Sequence, residues 1–272
     1  EAYLQKLGSI KVCADPDWEP FEMVDDQGKY TGIGADLLYL VAERLGVPIE
    51  VLHTKDWDES VAASKAGKCQ IISFLNQTPK RDEWLIFTQA HFSDPNIFIT
   101  REDHGFIAEL SDWANETIVL PKGTSIEDRI REDYPNLKII TTDTEIQAFE
   151  MVSQKQADIA IRSLIVAAYT IKKEGLFNLK ISGQLPHYTN QLRIGVIKSE
   201  PILRDILDKG IASITKEDRA SIVNKYVMVN AQTVHNNILL LKFLIGFVIL
   251  ALIALYRYYE LKKYNVKLEN AK

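Results

Sequence analysis

Two segments of the sequence have residue types suited to binding an anion. Arg81 stands in the run TPKRDE. Its planar guanidinium can hold a carboxylate through two parallel hydrogen bonds, although an arginine in such a charged cluster can equally lie on the surface. Gly123-Thr124-Ser125 precedes the helix-like run IEDRI. Free N–H groups at a helix start attract anions, but the same residues also serve as an ordinary N-cap. No pair of acids for general acid–base catalysis is obvious, so these segments suggest recognition of a ligand.

Other motifs carry weaker chemical signals. The run GIGADL at 32–37 resembles the first two glycines of a dinucleotide-binding fingerprint. Leu37 replaces the third glycine, and the run does not follow the first predicted strand, so a turn that feeds a helix is the better interpretation. The sequence predicts no cofactor. Cys13 and Cys69 lack the CxxC spacing of zinc or redox sites, and no metal site is predicted.

We predict that the two cysteines are buried thiols without a disulfide. Cys13 lies late in one predicted strand, and Cys69 comes just before another. If the strands are parallel neighbours, an offset of roughly four residues at about 3.3 Å each is too long for a bridge.

Length and composition exclude several classes of protein. The chain has 272 residues, of which 46% are apolar and 25% charged. These values are ordinary for a folded protein of about two domains, and they exclude a disordered or disulfide-dense chain. The net charge is −5, whereas a general nucleic-acid binder is usually basic. We therefore expect no nucleic-acid partner.

The C-terminal region carries the strongest regional signal. Residues 238–256 read ILLLKFLIGFVILALIALY, 19 positions with Lys242 as the one charge. A bilayer core needs about 20 apolar residues, and a lysine near the end of a span can extend to the headgroups. The sequence therefore predicts a single transmembrane helix at 238–256.

The flanks of this segment predict its orientation. Residues 257–272 carry five basic side chains, and residues 228–237 carry none. The positive-inside rule places the C-terminus in the cytoplasm and residues 1–237 outside. Leu261, Tyr264 and Leu268 lie at heptad spacing, as at the start of a signalling helix, although a fraying amphipathic end fits equally well.

Strands and helices alternate through the rest of the chain. The first set comprises strands at 10–14, 49–52 and 70–74 and helices at 35–45 and 56–66. A second set comprises strands at 117–120, 138–141 and 157–161 and helices at 125–134 and 144–153. A strand at 192–197 and helices at 201–214 and 217–226 follow. This alternation predicts α/β structure with mostly parallel sheets, in two lobes that flank a cleft.

Four segments in this order resemble the family 3 periplasmic solute-binding (Venus-flytrap) domain. They are ADPDWEPFEMVDDQGKYTGIGADLLYLVAERLG at 14–46, SFLNQTPKRDEWLIFTQAHFSDP at 73–95, PKGTSIED at 121–128 and KEDRASIVNKYV at 216–227. The resemblance covers about residues 8–228. It implies the bilobed periplasmic-binding-protein type II fold, with lobe 1 at 8–94 plus a returning segment at 193–228, and lobe 2 at 97–190.

The resemblance also implies a ligand site between the lobes. Arg81 occupies the arginine position of a Thr-x-x-Arg signature that holds a ligand carboxylate, and N–H groups at Thr124 and Ser125 complete the anion site. Three aromatic residues match positions that face the ligand side chain. The full set is Asp15, Trp18, Trp57, Phe74, Asn76, Arg81, Thr124, Ser125 and Ser163.

Ser163 departs from the amino-acid binders of this family, which usually carry an aspartate there to pair with the ligand ammonium. A serine supplies no countercharge, and a buried unpaired ammonium is costly. The departure favours an apolar or aromatic monocarboxylate slightly over an amino acid, unless Asp15 or another acid takes the role. Arg162 could meet a second carboxylate or point to solvent.

Together with the predicted span, the resemblance is to sensor regions of bacterial transmembrane receptor kinases and diguanylate cyclases. It implies a non-enzymatic sensor of a small carboxylate in the bacterial inner membrane, with a linker at 229–237 and a cytoplasmic segment at 257–272. A homodimer through the membrane and cytoplasmic helices is expected. The alternatives are a tethered transport binding protein and, less favoured, a cyclohexadienyl-dehydratase-like enzyme.

Overall fold

The computed structural model describes residues 2–113, 115–227, 255 and 257–262. Between residues 2 and 227 it contains the helices α1 (Ala2–Leu7), α2 (Ile33–Leu45), α3 (Trp57–Lys65), α4 (Ser125–Asp133), α5 (Glu145–Ser153), α6 (Leu164–Lys173), α7 (Pro201–Ala212) and α8 (Lys216–Val227). The strands are β1 (Ile10–Cys13), β2 (Asp17–Trp18), β3 (Glu22–Val24), β4 (Tyr30–Thr31), β5 (Ile49–Val51), β6 (Ile71–Asn76), β7 (Leu85–Phe87), β8 (Phe92–Asp94), β9 (Asn96–Arg101), β10 (Thr117–Pro121), β11 (Lys138–Thr142), β12 (Ile159–Ser163), β13 (Leu179–Gln184) and β14 (Asn190–Ile197).

The chain divides into two units, Glu1–Val227 and Met228–Lys272. In the second unit, Leu255 and residues 257–262 are helical. The predicted linker at 229–237 lies outside the described residues, as does the predicted span at 238–256 except for Leu255. No helix within the described parts of the chain is long and apolar enough to cross a membrane.

The first large sheet has the strand order β5-β1-β6-β14-β7, with β8 paired to the other half of β14. Strand β1 runs parallel to β5 and β6, and Val12 pairs with Val51 on one side and Ile71 on the other. Strand β14 is antiparallel to β6, β7 and β8. A strand from late in the sequence therefore lies in the middle of a sheet built mainly from the first 94 residues.

The second large sheet has the order β11-β10-β12-β9-β13. Its first three strands are parallel, whereas β9 is antiparallel to β12 and β13. Only Pro95 separates β8 of the first sheet from β9 of the second. The two sheets are thus the cores of two lobes, as the α/β alternation predicts. The small sheet β2-β3-β4, which sequence periodicity did not reveal, lies beside α2.

The glycines of the run GIGADL have a packing role. A Cβ atom at Gly34 would lie 2.7 Å from Cγ of Phe74, inside van der Waals contact. Gly32 has φ 121°, a conformation that side chains rarely allow. The run begins α2 beneath the aromatic core, which agrees with the predicted turn that feeds a helix.

The prediction of two free thiols is wrong. Cys13 and Cys69 form a disulfide with a Cα–Cα distance of 5.8 Å. The register pairs Cys13 with Ile72, so Cys69 would be too distant if the chain before β6 were extended. Instead the chain turns at Gly67, which has φ +68°, and the N–H of Lys68 returns to the carbonyl of Ala63. Because of this turn, Cys69 lies close to Cys13 although the two cysteines are offset along the neighbouring strands.

Candidate ligand-binding cleft

A cleft lined by residues from both lobes contains about 870 Å³ of space not filled by protein, part of it open to solvent. Eight of the nine predicted site residues line it, namely Asp15, Trp18, Trp57, Phe74, Asn76, Arg81, Thr124 and Ser125. The structure therefore brings most of the residues implied by the resemblance together around one cleft.

Arg81 presents a buried guanidinium to this cleft. The residue is 9% exposed and begins a 3-10 turn, Arg81–Glu83, after β6. Nη1 donates to the carbonyl of Asn76 at 2.7 Å, and Cζ lies 5.3 Å from the centroid of the Trp57 ring. Burial lowers the pKa of Arg81 to about 10, so the group still carries its charge at neutral pH. No carboxylate between residues 2 and 227 pairs with it directly, which leaves donors for an anion.

The start of α4 lines the cleft from the second lobe. Thr124 is the N-cap, and its Oγ1 accepts the N–H of Glu127 at 3.3 Å. The Ser125 hydroxyl accepts a hydrogen bond from Nδ2 of Asn76 at 2.9 Å. The helix start therefore faces Arg81's lobe across the cleft.

The Asn76 side chain is occupied by protein partners. Nδ2 also donates to Oδ1 of Asn190 at 2.8 Å, and Oδ1 accepts the N–H of Gln191 at 2.8 Å. Because both ends of the amide are used, Asn76 links β6, β14 and α4. In this arrangement it lines the cleft without a donor left for a ligand carboxylate.

Aromatic rings form the apolar part of the cleft. The Trp18 and Phe74 rings lie 6.4 Å apart, and both contact Phe21, at 4.9 and 5.3 Å respectively. Trp57 reaches across the cleft, where Nε1 donates to the carbonyl of Gly123 at 3.3 Å. Phe74 is fully buried, so it serves the core as well as the cleft wall.

Buried acids line the cleft near Trp18. Burial raises the pKa of Asp15 to about 7, and nearby Glu145 adds to the effect, while the N–H of Asp17 opposes it. Burial likewise raises the pKa of Glu22 to about 8, against the hydrogen bond from Tyr30. The N–H of Asp15 donates to Oε2 of Glu22 at 3.2 Å. These carboxyl groups therefore stay partly protonated near neutral pH.

Ser163 does not join the other eight predicted residues. Its hydroxyl donates to Oδ2 of Asp94, and it is the N-cap of α6, accepting the N–H of Val166. The side chain is 1% exposed and lies outside the cleft lining. Ser163 therefore has a structural role in this protein, because its hydroxyl is hydrogen-bonded to Asp94, which lies next to the connection between the two sheets.

The cleft lining also contains residues outside the sequence-based set, and a buried ion pair is the most notable of them. Arg162 of β12 and Glu145 at the start of α5 form an ion pair, and both line the cleft. Arg162 Cζ lies 5.8 Å from the ring centroid of Trp18 in the other lobe. Arg162 had been left open between a second carboxylate and solvent. Glu145 gave no signal, because an acid in the first turn of a helix is common.

Several polar contacts join the rims of the two lobes. Lys122 pairs with Asp58 at 3.2 Å, Lys80 pairs with Asp128, and Lys173 pairs with Glu19. The lobes therefore touch on both sides of the cleft. Within the described residues, no cluster of His, Cys, Asp and Glu side chains is placed to hold a metal ion.

Residues 10–229 match the family of bacterial extracellular solute-binding proteins, family 3. The chain belongs to this family. It is 23% identical over 217 residues to the virulence sensor protein BvgS of Bordetella pertussis, and 21% identical over 231 residues to the sensor protein EvgS of Escherichia coli. These matches cover 80% and 83% of this chain but 18% and 19% of the relatives. The chain thus matches less than a fifth of either sensor protein.

Binding proteins and solved structures show the same relationship. The L-cystine-binding protein TcyA of Bacillus subtilis is 24% identical over 190 residues, which are 66% of this chain and 67% of TcyA. The crystal structure of the Bordetella pertussis BvgS periplasmic VFT2 domain superposes with a TM-score of 0.75 at 23% identity, covering 83% of this chain and 98% of that domain. The bilobed fold is therefore confirmed.

Proposed function

We propose that residues 10–227 are the extracytoplasmic ligand-binding module of a transmembrane sensor, and that the ligand is a small carboxylate held between the lobes. The observation that carries this proposal is Arg81, a buried guanidinium in the cleft that pairs with no carboxylate among residues 2–227. A buried cation is stable only with a partner, and the α4 start lies opposite to share an anion. The sensor names BvgS and EvgS support the signalling half.

The ligand class stays open between an amino acid and an apolar or aromatic acid. Trp18, Trp57 and Phe74 provide an apolar surface for a side group. Ser163 lies outside the cleft and gives no countercharge, so the Asp15 carboxyl is the candidate partner for a ligand ammonium. Relatives named as binding amino acids or L-cystine support the amino-acid choice.

Signal transfer would follow from lobe closure. We propose lobe 1 at 8–94 and 193–228, lobe 2 at 97–190, a linker at 229–237, a membrane helix at 238–256 and a cytoplasmic segment at 257–272. Because α8 ends at Val227, closure would be passed through about ten residues to the membrane helix and then to a dimer partner. The test fuses to Lys272 a reporter enzyme that works only outside the cytoplasm. Activity of this fusion would contradict the topology.

A thermal-shift screen of the full chain tests the binding proposal. The probes are the standard amino acids and their deaminated carboxylic acids, which differ only in the ammonium group. At least one should raise the melting temperature by mass action, and Arg81→Ala should abolish that shift. Arg204→Ala on α7, outside the cleft lining, is the matched control. No shift with any probe, or a shift that survives Arg81→Ala, would overturn the proposal.

The second candidate function is a transport binding protein. The amino-acid-binding relatives favour it, and the predicted C-terminal span opposes it, since such proteins are usually free or tethered at the N-terminus. A cysteine at Leu261 distinguishes the two. Ligand-dependent cross-linking between copies of the full chain fits a sensor, whereas identical cross-linking with and without ligand removes the main support for signalling.

A further inference from the structure

A second cavity lies beside α8, on the face of the first lobe formed by β8 and β14. It contains about 1170 Å³ of space not filled by protein and is open to solvent. We name it the α8 groove and define it by His91, Phe92, Ile165, Lys216, Arg219 and Val223. The groove shares no lining residue with the ligand cleft.

The groove carries positive charge without a compensating acid. Lys216 and Arg219 of α8 both line it, and no carboxylate does. Glu217 and Asp218 lie between them in sequence, and neither lines the groove. Asp218, the acid next to Arg219, is committed elsewhere, because its Oδ2 pairs with Arg44 at 2.7 Å and accepts the N–H of Thr215.

Arg219 has no partner for its guanidinium within residues 2–227. Its Nε is shielded from solvent and donates to none of these residues, although the side chain as a whole is half-buried. A guanidinium that is partly buried and unpaired leaves a desolvation cost that an anion would relieve. This charge is the first independent sign of a ligand.

His91 is the second sign, from the opposite wall. The residue is 6% exposed, and its Nδ1 is shielded and without a partner among the described residues. Burial, together with the smaller effect of the charges of Arg219 and Arg193, lowers the pKa of His91 to about 3. The ring is therefore neutral at physiological pH, with one nitrogen able to donate, and it lies in a positive potential.

Another part of the groove is apolar, although the polar residues Ser93, Gln191 and Asn224 also line the cavity. Phe92 is 7% exposed, and Ile165 and Val223 pack against the core of the first lobe. An inorganic anion would use the cationic rim but would leave this surface unfilled. An apolar molecule would fill the surface but leave Arg219 unpaired.

We propose that the α8 groove binds a small amphiphilic organic anion, with its acidic group at Arg219 and Lys216, His91 beside it, and its apolar body on Phe92, Ile165 and Val223. The site is separate from the Arg81 cleft and does not depend on the function proposed for that cleft. The wall between them is thin, because the His91 ring lies 5.6 Å from the ring of Phe74, which lines the cleft.

Titration calorimetry of the full chain with three matched probes tests the site. Octanoate carries both charge and chain, octan-1-ol carries the chain alone, and acetate carries the charge alone. Octanoate should bind more tightly than either, and Arg219→Gln should weaken it at least about tenfold, as loss of a charged partner requires. Lys216→Gln, an exposed change that spares folding, should weaken it less.

Two controls locate the binding. Octanoate also belongs to the class of carboxylates proposed for the Arg81 cleft, so the groove affinity is measured in an Arg81→Gln background, in which the cleft site is removed. In that background Arg219→Gln should weaken octanoate binding, and Arg204→Gln on α7 should leave it unchanged. If octanoate binding is lost in Arg81→Gln but kept in both Arg219→Gln and Lys216→Gln, the anion lies in the cleft and the proposal is overturned. Equal binding of acetate or octan-1-ol to the wild type also overturns it, since the site would then need only one of the two properties.

Discussion

Glu145 pairs with Arg162 inside the cleft, where their side chains are 13% and 6% exposed. The second carboxylate oxygen of Glu145 and Nε of Arg162 are shielded and have no partner among the described residues. Burial raises the pKa of Glu145 while the charge of Arg162 lowers it. The pair neutralises Arg162, so a second ligand carboxylate would have to displace Glu145 to reach this guanidinium.

Removing one partner of this ion pair should destabilise the folded protein. Glu145→Leu should reduce the free energy of unfolding by about 3–5 kcal/mol, because it leaves Arg162 buried without a countercharge. The double variant Glu145→Leu with Arg162→Met should lose much less, since no charge remains. Urea unfolding of the single and double variants measures the coupling, and strictly additive losses would show that the two side chains do not interact.

Arg81→Ala should cut ligand affinity by about 2–5 kcal/mol while the protein stays folded. Arg81→Lys keeps the charge but loses the two-pronged geometry, so it should recover only part of the affinity. Calorimetry with the best probe from the thermal-shift screen gives the affinities, and circular dichroism monitors folding. Unchanged affinity in Arg81→Ala would remove this residue from the site.

The Cys13–Cys69 disulfide encloses a sequence separation of 56 residues. Restricting a loop of this length in the unfolded chain stabilises the fold by about 4 kcal/mol in the chain-entropy description. The variant with both cysteines changed to alanine should lose a comparable free energy of unfolding. Intact mass spectrometry of the wild type should show a gain of two hydrogens on reduction, and no gain would contradict the bridge.

Glu22 should make the fold less stable as pH rises. Its pKa is raised to about 8, so between about pH 4.5 and 8 the folded state retains a proton that the unfolded state releases. Unfolding free energy should therefore fall by up to about 1.4 kcal/mol per pH unit in this window. Glu22→Gln should remove the part of this slope that Glu22 contributes, while Asp15, whose pKa is raised to about 7, keeps its own contribution.

Urea unfolding at pH 5, 6, 7 and 8 compares wild type with Glu22→Gln, and Glu150→Gln on α5 controls for loss of an acid outside the cleft. His91 has a lowered pKa and acts in the opposite direction, losing stability as pH falls from about 6.5 towards 3. Its contribution is common to all three proteins and cancels in the difference. Parallel pH profiles for wild type and Glu22→Gln would contradict the prediction.

Most of the fold was predictable because local signals agree with the tertiary structure. Asp56, Thr124 and Thr144 each cap the helix that follows, as such residues do in isolated sequence patterns. Strands β2, β3 and β4 have two or three residues each, too few for a period-two pattern to appear. Their pairing depends on the turn at Asp25 to Gly28 and on contact with α2, and this tertiary contact is not reported by any local pattern.

The cleft was predictable through family resemblance only where a motif named the residue. Arg81 stands in a recognisable motif, whereas Glu145 meets Arg162 because the start of α5 packs beside β12. Ser163 matched a ligand position by sequence, but its hydroxyl donates a hydrogen bond to Asp94. The disulfide depended on a turn at Gly67 that strand spacing does not describe.

Strand β14 lies in the middle of the first sheet although it begins at Asn190. The second sheet, by contrast, uses only the continuous stretch from Asn96 to Gln184. During synthesis the second lobe therefore has all its strands before the first lobe does. Lobe 1 emerges first, but its sheet is complete only after β14 has been synthesised. The lobes therefore become stable in the reverse of the order in which their synthesis begins.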